Sequence, residues 1–132
     1  MIYWQNRILT NIKIAFGDKC TNVVPSRNNN ETVFPACLVR TVQDTAIAGD
    51  LGSSGEENAV NCGVQVEIYS KKSISDAISL MSVVNKAMYR MGFSRREGAR
   101  QVSNVEQPDI YRVVARYTRV IGSEDVIKKF EE

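Results

Sequence analysis

Two stretches of opposite charge are the places where this sequence could do chemistry or recognise a partner. Residues 44–57, DTAIAGDLGSSGEE, contain four acids and no basic residue, whereas residues 89–100, YRMGFSRREGAR, contain four arginines and a single acid. The acidic stretch lacks the regular alternation of oxygen ligands that a calcium loop needs, so we expect no metal site there. The arginines could contact phosphate or an acidic partner surface, although a solvated turn with scattered arginines has the same composition.

The residues on which most enzymes depend are missing from the sequence. There is no histidine, and histidine is the commonest general base and transition-metal ligand. There is also no GxxxxGK[ST] motif, no GxGxxG motif, no nucleophile elbow and no EF-hand loop. We therefore expect that the protein is not an enzyme, with no catalytic residue, no metal, no cofactor and no small-molecule substrate.

The three cysteines point to packing and not to redox or metal chemistry. Cys20, Cys37 and Cys62 are an odd number without a CxxC pair. Cys62 lies in a stretch of alternating polarity, where a free thiol behaves as a small apolar group. Reduced cysteines suit a protein that is assembled inside a cell.

Length and composition favour one ordinary domain. The chain has 132 residues, of which 43% are hydrophobic and 24% charged, as is usual for a soluble globular protein. No apolar run approaches the roughly 18 residues of a membrane span, so no membrane partner is expected. Polar residues interrupt residues 1–16, which predict an amphipathic helix and not a signal sequence. The net charge of +2 is too small to indicate nucleic-acid binding by itself.

A change of periodicity near residue 70 marks a strand that leads directly into a helix. Residues 61–70, NCGVQVEIYS, alternate in polarity and predict a strand. Its buried face is expected to carry Cys62, Val64, Val66 and Ile68. Its other face, with Gly63, Gln65, Glu67 and Tyr69, is expected to be at least partly wet. Residues 36–43 predict a preceding strand, and residues 44–57 would then form the long tip of a hairpin, which in a compact domain is usually functional.

The helix is predicted to run from an N-cap at Ser73 to about Met91, where Gly92 can end it. Its buried stripe is expected to contain Ile74, Ala77, Ile78, Met81, Val84, Met88 and Met91. Methionines on an apolar helix face are usually flexible core filling, so we interpret the three in this helix as core.

The rest of the chain completes an α+β pattern. Short extended pieces are expected at residues 23–24 and 100–105, and residues 110–122 predict a final strand. Its apolar face would carry Tyr111, Val113, Ala115, Tyr117 and Ile121. We predict an α+β fold with a mostly antiparallel sheet and a long-tipped β-hairpin, packed against an N-terminal helix and one central helix. Residues 1–122 would form a single domain, and residues 123–132 a helical or flexible C-terminal tail.

The order of these elements resembles the tail terminator (tail completion, or neck) proteins of long-tailed bacteriophages. The shared pattern is a strand that ends near an aromatic residue and a Ser/Lys pair, a helix of about twenty residues that ends in a glycine–aromatic pair, and a late strand with a Tyr-Arg start. Here these are Ile68-Tyr69-Ser70-Lys71, residues 73–91, Gly92-Phe93 and Tyr111-Arg112. The resemblance covers most of residues 1–122.

The resemblance implies a structural protein of the virion, located at the tail and neck and assembled in the host cytoplasm. Its subunits would form a homo-hexameric ring that caps the tail tube protein and joins the tail to the head–tail connector protein. Genomic DNA would pass through the lumen without specific binding. Edge strands and the helix face that is not used for the core could form the heterologous contacts of such a ring.

Two sets of candidate interaction residues follow from these arguments. A partner-binding loop would use Asp44, Ile47, Asp50, Leu51, Glu56 and Glu57. Inter-subunit or phosphate contacts would use Arg90, Arg95, Arg96 and Arg100. The alternatives are a head-closure, adaptor or minor capsid protein of the same neck region, or a small nucleic-acid-binding module that stacks bases on Tyr111 and Tyr117.

Overall fold

The computed structural model describes residues 5–25, 34–46, 59–102, 110–122 and 127–130, with the backbone alone for residues 42–46, 59–60 and 97–100. The elements in chain order are α1 (Gln5–Phe16), β1 (Asn22–Val24), β2 (Ala36–Ala46), β3 (Ala59–Ser70), α2 (Ile74–Arg90), β4 (Ser94–Val102) and β5 (Tyr111–Gly122). This arrangement confirms the predicted α+β class, with its N-terminal helix, central helix and mostly antiparallel sheet.

The five strands form one sheet in the order β1-β2-β3-β5-β4. β1 runs parallel to β2, and the other three pairings are antiparallel. β2 and β3 form the predicted hairpin, but β2 extends further than the sequence suggested. Asp44 pairs with Cys62 inside the ladder, so the hairpin tip begins after Ala46 and not at Asp44. Pairing with the strongly β-forming β3 carries β2 through residues that show little strand signal of their own.

The ends of α2 are fixed by the signals that the sequence carries. The hydroxyl of Ser73 accepts a hydrogen bond from the Asp76 N–H at 3.0 Å, which satisfies one of the free donors of the first turn. Asp76 in turn accepts a hydrogen bond from the Ser70 hydroxyl at 2.8 Å, so the cap also ties the helix to β3. At the other end Gly92 has a φ of 82°, a conformation that side chains with a Cβ rarely adopt.

Both helices pack on the same face of the sheet. The main core contains Ile8, Ile12 and Phe16 of α1, Ala77, Leu80, Met81, Val84 and Met88 of α2, and Val39, Val64, Val66, Ile68, Val113, Ala115, Tyr117 and Ile121 of the strands. The two methionines of α2, together with Met91 just beyond its end, are buried, which confirms their interpretation as core. The three cysteines are also buried and form no disulfide bond, and burial raises the pKa of the Cys37 thiol well above its ordinary value.

One position of the predicted helix stripe is wrong. Ile78 is 51% exposed, whereas Leu80 is buried. At about 100° per residue, Ile78 lies roughly 100° around the helix from the centre of the buried face. The apolar set in the sequence is therefore wider than the surface that the sheet and α1 cover.

The C-terminal segment packs against the helices of its own chain. Over residues 127–130 the backbone is not helical, and Ile127 and Phe130 are buried in the main core. Asn11 of α1 is fully buried and holds this segment from both sides. Its amide donates to the Lys128 carbonyl at 2.9 Å, and its Oδ1 accepts from the Phe130 N–H at 2.8 Å. Two backbone groups of this segment, which have no helical partner, are thereby hydrogen-bonded to a side chain.

Candidate functional site

The face of the sheet opposite the helices carries a buried carboxylate. Gln65, Glu67 and Tyr69 alternate along β3 and all point away from the helices. The sequence predicted that this face would be at least partly wet, and for these three residues that prediction is wrong, since Glu67 is only 2% exposed and the other two are also buried. β3 is the central strand of the sheet, so side chains from the neighbouring strands cover it on both sides.

Two arginines and a tyrosine surround the Glu67 carboxylate. Arg112 of β5 donates to Oε1 through both Nε, at 2.7 Å, and Nη2. The Tyr69 hydroxyl donates to the same oxygen at 3.3 Å, and Nη2 of Arg40 lies 4.0 Å from Oε2. Burial alone would lower the pKa of Arg112, but the hydrogen bond and the charge of Glu67 outweigh it, so the pKa is raised. The carboxylate thus fixes a guanidinium that is itself partly open to solvent.

A second fixed arginine lies further along the same face. Nε of Arg116 donates to Oε1 of Gln65 at 2.9 Å, and Arg116 is exposed. Two residues on, the Thr118 hydroxyl donates to Oδ1 of Asn61 at 2.8 Å. These contacts connect β3 to β5 by polar side chains, and they leave cationic and neutral donors at the surface.

We call the side chains of Arg40, Arg112 and Arg116, with the Glu67 carboxylate beneath them, the arginine face. None of these four residues was among the candidate site residues of the sequence. Arg112 and Arg116 could have been noticed because they alternate against the apolar residues of β5. The role of Glu67 could not, because its partners are 27 and 45 residues away in the chain and only the pairing register brings them together.

The four arginines predicted to contact a neighbour or phosphate lie on two elements, Arg90 on α2 and the other three on β4. Arg90, at the end of α2, lies over the Phe130 ring with its guanidinium carbon 3.8 Å from the centroid. Arg95 and Arg96 are exposed on β4, and the backbone of Arg100 pairs with Val114 of β5.

The arginine-rich segment was expected to be a turn followed by a short strand at 100–105, and that boundary is wrong. The strand already begins at Ser94, with register shifts between Arg95 and Glu97 and again between Glu97 and Arg100. Charged side chains and bulges are typical of outer strands, where they discourage unwanted strand addition. The pattern that suggested a solvated turn is therefore also the pattern of a protected edge.

Most of the predicted partner-binding loop lies outside the described residues. Ile47, Asp50, Leu51, Glu56 and Glu57 fall there. Asp44 is described by its backbone, which belongs to β2.

The outward side of α2 exposes two large apolar side chains. Ile78 is 51% exposed and Tyr89 is 58% exposed. Eleven residues separate them, which is close to three full turns, so they lie on one stripe of the helix. Between them the exposed positions are Ser79, Ser82 and Lys86. Apolar side chains flanking small polar ones make a surface that another protein could cover closely.

A cleft of about 510 Å³ lies between the end of α2 and the C-terminal segment. Its lining includes Arg90, Arg119, Lys128 and Lys129. Nη1 of Arg119 donates to the Met91 carbonyl at 2.7 Å. Cations near a helix C-terminus complement the negative end of its dipole, so this cluster has a structural explanation.

Across the described ranges, no group of three or more histidine, cysteine, aspartate or glutamate side chains could hold a metal ion. Neither described helix has both the length and the hydropathy needed to cross a membrane.

Neither a protein-family model nor a curated protein matches this sequence.

The described arrangement offers surfaces that could bind another molecule. The polar side chains of the arginine face are paired with one another, and the Tyr117 hydroxyl, whose pKa burial raises to about 12, stays protonated in the core at neutral pH. The candidate functional surfaces are therefore the outward side of α2, the outer strand β4 and the arginine face.

Proposed function

We propose that this chain is the subunit of a tail terminator ring in a long-tailed bacteriophage. The ring is a homo-hexamer that caps the growing tail tube and joins it to the head connector, and it belongs to the virion. The resemblance in the order of elements supports this, and each of its motifs lies at an element boundary. Ile68-Tyr69-Ser70 ends β3, Gly92-Phe93 follows α2, and Tyr111-Arg112 begins β5.

The observation that carries the proposal is the apolar stripe on the outward side of α2. Ile78 and Tyr89 are both more than half exposed on one stripe of α2, and apolar residues aligned in this way suit a surface that a partner covers. In a ring each such stripe is covered by the next subunit. A ring contact joins two different surfaces of neighbouring copies, and the stripe supplies one of them.

The outer strand β4 is suited to be the other surface, because it is the last strand of the described sheet on the side of β5. Its exposed Arg95 and Arg96 would add charge complementarity, which fixes the register of a contact more than its strength. β4 also follows directly after α2 in the chain, so the two candidate surfaces belong to one continuous segment.

The neck region also contains head-closure, adaptor and minor capsid proteins, and the same features would serve them. Only the partner, tail tube or portal side, separates these roles from that of a terminator. A module that stacks bases on its tyrosines is disfavoured, because Tyr117 is 2% exposed and packs in the core.

Shortening the acidic stretch tests the role of the hairpin tip in tail joining. We expect deletion of residues 49–55, with the hairpin kept closed, to leave the fold intact and to reduce the joining of heads to tails by about tenfold or more, as loss of a central contact does. The reason is that a polar segment of this length is expected to bind a partner, and removing it leaves the sheet itself complete. The measurement is the yield of infectious particles when the purified protein complements an extract that lacks it.

A control of equal length distinguishes an effect of the sequence of residues 49–55 from an effect of their length. In it, residues 49–55 are replaced by seven alternating glycines and serines, and we expect the same loss if Asp50 and Leu51 contact the partner. Circular dichroism and thermal unfolding confirm that each variant is folded. Normal joining by the deletion variant would rule out a role for the segment.

A further inference from the structure

We infer that the arginine face is a docking surface for duplex DNA, which it contacts through the phosphate backbone without reading the sequence. Its three arginines lie on the side of the described sheet that neither helix covers, two of them beside the buried Glu67 carboxylate and Arg116 beside Gln65. The inference goes beyond the proposed ring, since it concerns a different surface and a ligand that a single subunit can be tested for.

The spacing of the cations suits a densely charged polyanion. Arg40 and Arg116 both face Gln65 across the sheet, so their Cα atoms are about 10 Å apart. Arg112 and Arg116 are four residues apart on β5, or about 13 Å. Duplex DNA carries one negative charge per roughly 1.7 Å of its axis. Because phosphates follow one another so closely, three cations at this spacing would contact phosphates wherever along its axis the duplex is bound.

The guanidinium groups are also fixed in place before any ligand arrives. Glu67 holds Arg112 at 2.7 Å and Gln65 holds Arg116 at 2.9 Å, in both cases through Nε. A guanidinium has five N–H donors, so each keeps donors for a phosphate. Fixing the side chain beforehand reduces the entropy lost on binding.

The other side chains of this face favour DNA over an acidic protein. Thr118 and Asn61 are neutral groups of the kind that contact phosphate and sugar. The core of a protein–protein interface usually has apolar or aromatic anchors, but Leu38, Tyr69 and Val114 are buried here. The exposed apolar pair of α2 lies on another side of the molecule. Among the described side chains of the arginine face, the large apolar one that is exposed is Val120, at its far end.

Tyr69, the aromatic residue beside Glu67, is buried, so it offers no surface for stacking unpaired bases. The expected ligand is therefore a duplex, bound by its backbone.

The test compares two double variants that lose the same charge. In Arg40→Gln, Arg116→Gln, two exposed cations leave the arginine face while the Arg112–Glu67 pair stays. In Lys13→Gln, Lys19→Gln, two exposed cations leave α1 and the turn that follows it, away from both the arginine face and the outward stripe of α2. Binding to a labelled duplex of 30 base pairs is followed by fluorescence anisotropy from 50 to 200 mM salt, and light scattering gives the mass of each variant.

We expect wild-type protein to bind at 50 mM salt with an affinity that falls steeply as salt rises. The arginine double variant should bind about tenfold more weakly or worse, with a salt slope lower by about 2, since each lost phosphate contact lowers it by about 1. Arg40→Gln and Arg116→Gln alone should each lower the slope by about 1. The lysine double variant should match wild type within about twofold, because its cations are not on the binding surface.

Three results would overturn the inference. The first is the absence of wild-type binding at 50 mM salt. The second is an equal loss in both double variants, which would mean that net charge alone attracts the duplex. The third is that polyglutamate displaces the duplex from wild type and depends on the same two arginines, which would make the ligand an acidic protein.

Discussion

Replacing Ile78 and Tyr89 by aspartate is expected to leave a folded monomer that no longer forms a ring. Both side chains are more than half exposed, so the substitutions cost the isolated subunit little. In an assembled ring they would bury two carboxylates in an apolar contact, which costs several kcal/mol. We expect the assembly equilibrium to shift by on the order of a hundredfold or more. Light scattering and analytical ultracentrifugation measure it.

The matched control adds the same charge elsewhere on the surface. Asn6→Asp with Thr21→Asp changes two exposed residues and lowers the net charge equally. It should assemble as wild type does, because neither residue belongs to the outward stripe of α2. If the stripe variant still forms rings at wild-type concentration, α2 is not a subunit contact.

Removal of the Glu67 carboxylate is expected to be the most destabilising single change on the arginine face. Glu67→Ala removes the carboxylate to which the Arg112 guanidinium and the Tyr69 hydroxyl donate. Breaking a buried pair from one side costs about 3–5 kcal/mol. Because Arg112 is 28% exposed, water recovers part of this, and we expect a loss of about 2–3 kcal/mol. Urea unfolding at neutral pH measures it.

Arg40→Gln is the control for this prediction. The Arg40 side chain is 49% exposed and lies 4.0 Å from the buried carboxylate, and such a long contact with a half-exposed cation is worth about 1 kcal/mol or less. Glu67→Gln should fall between the two variants, since the amide keeps the shape and one acceptor. Ordinary surface substitutions change the free energy of unfolding by about 0.5 kcal/mol or less. If Glu67→Ala changes it by no more than that, the buried carboxylate contributes no net stability.

The central strand and helix could be predicted because their signals are local. Residues 61–70 alternate cleanly, Ser73 and Gly92 delimit α2, and these features need no knowledge of the rest of the chain. The structure places β3 and α2 within two residues of the predicted bounds. The exposure of Ile78 could not be predicted in this way, because it depends on how much of the helix the sheet and α1 cover.

Three other features depend on contacts between distant parts of the chain. β4 has few apolar residues and becomes a strand by pairing with β5. Glu67 is a charged residue at an alternating position, and it is buried only because Arg112 comes to lie beside it. The C-terminal segment is held by Asn11, more than a hundred residues earlier. None of these contacts leaves a periodic signal within a single stretch of sequence.

The mass of the purified protein in solution tests the proposed function most directly. We would measure it by light scattering over a series of concentrations, alone and with purified tail tubes. We expect a species of about six subunits, or a monomer that assembles into such a species when tubes are added. A monomer that ignores tail tubes at every concentration would contradict it, and the terminator proposal would then give way to an adaptor that binds on the portal side.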